Sequence, residues 1–225
     1  MLTLFIDNVK NVCSKGGIKM KKDTITIKIK KEDLKVLKDA GYQLCMAGRM
    51  KDTDYTVVWY ATESYASNNQ IEVFDEYEVF ASNGCGEKVS VDFSSVAAEV
   101  GEECVIDKYG IISQSKTGQI SDAIVLVNDY GNLYPGLIRK GKGIKGEILC
   151  NALFLSRNLI LPGEFEFFPA YEVKIWFAQN MQIGEILPQE AKCSVRAAKT
   201  KQIVVDLEKR DSPVLEYSDG RWKYI

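Results

Sequence analysis

From Thr24 to Lys30 the chain alternates without exception: Ile25, Ile27 and Ile29 fall on one side, Thr26, Lys28 and Lys30 on the other. Successive side chains of a strand point to opposite faces, so this segment buries all three isoleucines together only when extended. The same two-residue period returns in 42–47, 55–60, 71–81, 88–93, 104–106, 123–127, 148–155, 165–168, 171–177, 193–197 and 202–207. Turn signals separate these runs: Ser82-Asn83-Gly84, Lys108-Tyr109-Gly110, Asn128-Asp129-Tyr130-Gly131, Pro162-Gly163 and Asp219-Gly220. Only 31–40 departs from the pattern, placing Leu34, Val36 and Leu37 on one side of a short helix that Gly41 ends. With no βαβ alternation, the expectation is all-β: a single β-sandwich or closed barrel of roughly ten short, mainly antiparallel strands, with one short N-terminal helix.

The chain's 225 residues suffice for one sizeable core, and 46% hydrophobic with 27% charged residues favours a folded domain over disorder. No run of eighteen apolar residues occurs, so no helix is expected to span a membrane. Residues 1–19 open on six mostly apolar residues that Asp7 interrupts, which is too short for a secretion signal. Lys15-Gly16-Gly17 is compatible with the codons AAA-GGA-GGN, a ribosome-binding sequence shortly before the Met20 codon, and the Lys- and Ile-rich composition suits an AT-rich bacterial genome. Residues 1–19 therefore read as an untranslated leader or a disordered arm, and 20–225 as a single β domain. A chain starting at Met20 has no signal region, which implies synthesis in the cytoplasm, with release by lysis or a dedicated system.

Charge is unevenly spread. Counting Lys and Arg against Asp and Glu, 20–51 carries nine against four, 52–107 one against thirteen, and 108–225 sixteen against thirteen. The near-neutral total argues against nucleic acid as a partner. The segregation asks for pairing, either within the chain or between copies. The clearest internal pairing sets the acidic rib Glu72, Glu76 and Glu78 of the 71–81 strand beside Lys28 and Lys30. At the C-terminus, Asp219-Gly220 suits a two-residue type I′ hairpin placing Ser218 opposite Arg221, Tyr217 opposite Trp222, and Glu216 opposite Lys223. "WYA" at 59–61 recurs as "WFA" at 176–178, a faint internal echo.

Chemistry-bearing motifs are sparse. Histidine is absent, which removes the side chain most used for proton transfer near neutral pH and the commonest metal ligand. Cys45, Cys85, Cys104, Cys150 and Cys193 are widely spaced, with no C-x-x-C pair, and suit core thiols better than disulfides or zinc ligands. Asp52-Thr53-Asp54 and the 128–132 turn lack the full spacing of a calcium loop and suit Asx turns. Gly136 to Gly143 matches G-x-x-x-x-G-K, but Gly143 stands where a phosphate loop needs Ser or Thr, and no helix follows. It reads instead as a basic, glycine-rich loop. Neither a catalytic set nor a metal or cofactor site is expected.

The best-supported expectation is a non-enzymatic binding protein, lectin-like or lipid-headgroup-binding and toxin-like in character. Its expected ligand-binding residues are Arg139, Lys140, Lys142 and Lys145 of the basic loop together with Trp59, Tyr60 and Tyr130. The partner is expected to be a cell-surface glycan or an anionic lipid headgroup. The alternative is a self-assembling structural protein, an inclusion, filament or spore-layer subunit, that uses its segregated charge between copies.

Overall fold

A computed structural model describes residues 22–115, 122–188 and 202–225. The leader at 1–19, the strand expected at 193–197 and Cys193 lie outside the described residues. Among those described, the elements in chain order are β1 (Lys22–Ile29), α1 (Lys31–Asp39), β2 (Gln43–Met50), β3 (Tyr60–Thr62), β4 (Asn68–Ser82), β5 (Val96–Ala98), β6 (Glu103–Ile106) and β7 (Ile112–Gln114). They continue with β8 (Ile124–Asn128), β9 (Tyr134–Lys142), β10 (Ile148–Leu155), β11 (Gly163–Phe167), β12 (Pro169–Ala178), β13 (Ile203–Asp206), β14 (Val214–Ser218) and β15 (Arg221–Tyr224).

The strands form three open sheets in a sandwich-like arrangement, with no closed barrel. The largest runs β10-β9-β4-β1-β14-β15, with β5 also on β4; the others run β11-β8-β6-β7 and β13-β12-β2-β3. Pairing is antiparallel except for β1 with β14 and β6 with β8.

β1 shows why the alternation mattered. Its three isoleucines are buried, and each contributes about 1.5–3 kcal/mol on leaving water. On one side Ile25 pairs with Ile71 of β4; on the other Ile27 and Ile29 pair in parallel with Leu215 and Tyr217 of β14. The strand thus ties the two ends of the described chain into one sheet. Its inward face joins a cluster with Ile106 and Leu126 of the second sheet and with Met46, Ile175 and Phe177 of the third. α1 follows where expected, with Leu37 buried against the core and Gly41 beyond it at φ +68°. No helix among the described residues is long and apolar enough to cross a membrane.

The C-terminal hairpin has the expected register, Ser218↔Arg221, Tyr217↔Trp222 and Glu216↔Lys223. Asp219 and Gly220 both adopt positive φ, 53° and 69°, as a type I′ turn requires. Of the acidic rib only Glu72 lies beside β1, opposite Thr24, while Glu78 lies against β5 and β9, and the ion pairs differ from the expected ones. Lys22 meets Glu72 at 2.8 Å, Lys140 meets Glu78 at 3.2 Å, and Lys30 reaches Asp219 instead.

Three expectations are corrected. Segment 55–60 makes only an isolated bridge from Val57 to Ile186 before β3 begins at Tyr60, and 88–93 makes only one from Lys88 to Glu185. The described residues form fifteen strands where roughly ten are expected, and β5, β7 and β9 are among those the alternation does not mark. Most consequentially, 136–143 is not a loop: Gly136 to Lys142 lie in β9, an inner strand between β4 and β10.

Candidate functional site

The glycines of β9 explain both its position and its disguise. A Cβ at Gly136 would overlap the Phe80 ring; one at Gly141 would stand 2.6 Å from the Glu72 carbonyl oxygen and 2.7 Å from the Trp59 ring. The strand thus lets two large aromatics lie on its backbone, a known use of strand glycine.

This placement takes three of the seven expected ligand-binding residues, Trp59, Tyr60 and Arg139, out of contact with solvent. Trp59 is 1% exposed, its indole N–H donating to the Arg139 carbonyl at 3.0 Å. Tyr60 is 2% exposed, and its hydroxyl meets Glu147 at 2.8 Å and accepts from the Ile144 N–H at 3.2 Å. Burial pushes the Tyr60 phenol up to about 12. Arg139, at 1% exposure, turns inward on the alternate beat of β9, where Leu137 and Gly141 also face the core. Lys140 faces outward into Glu76 and Glu78. The stacking platform expected of Trp59 and Tyr60, and the basic loop expected around Arg139 and Lys140, are therefore corrected to packing and cross-strand pairing.

Lys142 and Lys145 stand at the turn between β9 and β10. The turn's N–H groups are already held: Lys145 N donates to the Glu147 carboxylate at 2.8 Å, and Gly143 N to the Glu147 carbonyl at 2.8 Å. The resemblance to a phosphate loop ends there, since the protein's own carboxylate occupies the cradle.

Tyr130 has a different setting. It sits on the turn between β8 and β9, beyond the end of β9 opposite Lys142, and the strand between them is eight residue steps or about 26 Å long. Asn128 builds that turn, accepting from the N–H groups of Tyr130 and Gly131 at 3.1 and 3.3 Å, and reaches the Leu161 carbonyl at 3.1 Å. Asp129 N bonds the Ile106 carbonyl at 2.9 Å, joining this turn to the one between β6 and β7. In that neighbouring turn Asp107 accepts from the N–H groups of Tyr109 and Ile111. Phe93 packs edge-on against Tyr130, centroids 5.0 Å apart.

Three turns thus converge at one end of the fold and display Tyr109 (74% exposed), Leu161 (67%), Ile111, Leu159 and Tyr130 (42%). These side chains are exposed while the backbone under them is pinned by side-chain caps, so the patch is preformed. Formal charges on 107–111, 128–132 and 156–162 cancel, Lys108 and Arg157 against Asp107 and Asp129. Of these residues the sequence reading named Tyr130 but not Tyr109, Ile111 or Leu161. Their signal was an apolar residue beside a turn dipeptide, where alternation alone does not tell which way it points.

Among the described residues no group of His, Cys, Asp and Glu is placed to hold a metal ion. Compared with protein-family models, with curated proteins and with solved structures, the chain finds no match.

Proposed function

We propose that this is a non-enzymatic, lectin-like binding protein whose turn-end patch, centred on Tyr109 and Tyr130, takes an uncharged glycan. The observation that carries this reading is the pair of exposed tyrosines on adjacent, internally capped turns. Rigid aromatic faces offer area for the apolar side of a sugar ring at small entropic cost, and nearby turn carbonyls and carboxylates suit its hydroxyls. Exposed apolar side chains gathered on linked turns at one end of a fold suit an interaction site. The cancelled charge favours a neutral ligand. An anionic headgroup would look for the lysines at the far end of β9, which share no surface with the tyrosines.

The reading is tested by retention on an array of neutral and acidic glycans, with zwitterionic and anionic vesicles run alongside. Binding to a neutral glycan should fall at least tenfold in Tyr130→Ala and Tyr109→Ala. It should be unchanged in the double variant Lys142→Gln/Lys145→Gln and nearly independent of salt. Retention only by anionic vesicles, lost in the lysine variant, would overturn the proposal, as would failure of every glycan to bind.

A further inference from the structure

Polar atoms gather where β4 changes register against β9. Between the pairs Val73↔Gly141 and Tyr77↔Arg139, β4 advances four residues and β9 two, so Phe74, Asp75 and Glu76 bulge out of the ladder. The bulge frees the Phe74 carbonyl, which accepts from Arg139 Nε at 2.8 Å. The guanidinium carbon lies 5.5 Å from the centroid of the Tyr77 ring and 5.8 Å from that of Tyr171. Tyr171 belongs to β12, in another sheet, and donates its hydroxyl to Asp75 Oδ2 at 2.6 Å. The site therefore bridges two sheets.

Three atoms of this cluster, Asp75 Oδ1, the Tyr77 hydroxyl and Arg139 Nη1, are sealed from bulk solvent and make no direct hydrogen bond of good geometry among the described residues, although the Asp75 carboxylate lies near enough to the Tyr77 phenol to interact with it. Buried polar groups of native proteins are almost always paired, by protein or by an enclosed molecule. Their demands are complementary: Nη1 only donates, a carboxylate oxygen only accepts, and a phenol does either. Arg139 and Asp75 cancel in formal charge, so an anion would meet Asp75 and a cation would meet Arg139. An occupant must be small and neutral, and must both accept and donate.

We propose that the β4 bulge holds one small neutral hydroxylic molecule, of which water is the smallest, bound at once to Asp75 Oδ1, the Tyr77 hydroxyl and Arg139 Nη1. It completes the polar link between β4 and β9 on one side and β12 on the other. This is the reason an arginine can stand on an inward beat of an inner strand with no direct carboxylate partner among the ion pairs described.

The test is a crystal structure of the full chain at about 1.5 Å, grown without polyols, beside a second crystal soaked in ethylene glycol. Density about 2.6–3.2 Å from all three atoms supports the site. Water in both crystals assigns it to solvent, whereas glycol replacing water in the soak assigns it to small hydroxylic solutes. No density at that point, or Arg139 Nη1 turned directly onto Asp75, overturns the proposal. Tyr77→Phe adds an independent readout, because it removes one of three contacts while keeping the ring. Occupancy should fall by at least half with Asp75 and Arg139 unmoved; undiminished occupancy would show that Tyr77 is no part of the site.

Discussion

Gly141→Ala distinguishes an inner strand from a loop. At an ordinary loop glycine the added methyl restricts the unfolded chain and stabilises by about 0.4–1 kcal/mol when φ permits. In β9 the same methyl meets the Glu72 carbonyl oxygen at 2.6 Å and the Trp59 ring at 2.7 Å, against a comfortable separation near 3.5–4.0 Å. About 1 Å must be recovered, and one neighbour is backbone that a rotamer change does not move. Trp59 is held by its bond to the Arg139 carbonyl and by Asn151, which donates to the Trp59 carbonyl at 3.0 Å. Overpacking of this kind costs about 1–3 kcal/mol. With a urea slope of about 2 kcal/mol/M, the unfolding midpoint should fall by about 1 M, with a change in Trp59 near-ultraviolet dichroism. Gly84, where an added Cβ meets nothing within 4 Å, is the control, and Gly84→Ala should leave the midpoint unchanged or raise it by up to about 0.5 M. A neutral or stabilising Gly141→Ala would refute the placement of β9.

Trp222 stacks on Phe177 at 5.3 Å and contacts Tyr217 at 5.0 Å, so Trp222→Ala should cost about 2 kcal/mol in urea unfolding. Burial pushes the Cys45 thiol up to about 12 and that of Cys104 to about 11. At pH 8, peptide mapping should therefore find both unlabelled by a thiol reagent in the native protein and labelled in denaturant. Burial alone would raise Glu78, but hydrogen bonds from Ser95 and Lys140 outweigh it and hold the carboxyl below its ordinary 4.5. The stability it contributes is full above that value and fades as pH falls through the lower folded value. Urea midpoints for Glu78→Gln should accordingly lie below wild type at pH 7, and the gap should narrow as pH falls below 4.5, the partly exposed pair limiting the difference to about 1 kcal/mol.

How much of this was legible in the sequence varies from element to element. β1 announces itself through Ile25, Ile27 and Ile29, β4 through Ile71, Val73, Tyr77 and Val79, and the β14–β15 hairpin through Leu215, Tyr217, Trp222 and Tyr224 with Asp-Gly at its turn. In β9 the inward beats read Leu137, Arg139, Gly141. One is charged and one has no side chain, because the Trp59 ring lies where a side chain of Gly141 would stand, just as Phe80 lies over Gly136 on the other face. Periodicity registers what a strand contributes to the core, so a strand that receives its neighbours' side chains is silent. The site followed the same logic. Trp59 and Tyr60 were nominated for their chemistry, but a ring's chemistry is the same in a core and on a surface. Tyr130 differs from them because Asn128 and Gly131 fix it on a turn.

The segregated charge bears on self-assembly, and here the fold changes the argument. The basic and acidic stretches looked complementary between copies. In the folded chain part of that charge is already paired within one molecule: Lys22 with Glu72, Lys51 with Asp122, Lys140 with Glu76 and Glu78, and Arg49 with Glu172 at 2.6 Å. Each pairs residues distant in sequence, and three of the four couples bring a basic stretch to an acidic one or to the C-terminal half. A charge already paired at this range gives little more to a second copy, because its field is largely cancelled beyond a Debye length of about 8 Å at physiological salt. The outermost strand of the large sheet, β15, is four residues long and carries Arg221 and Lys223, features that discourage edge-to-edge pairing. Sedimentation velocity at low and high salt, over a tenfold concentration range, should therefore give one unchanged species. Reversible, concentration-dependent growth at low salt that high salt dissolves would show that enough charge stays unpaired to join copies, and would restore the self-assembly reading in place of the binding one.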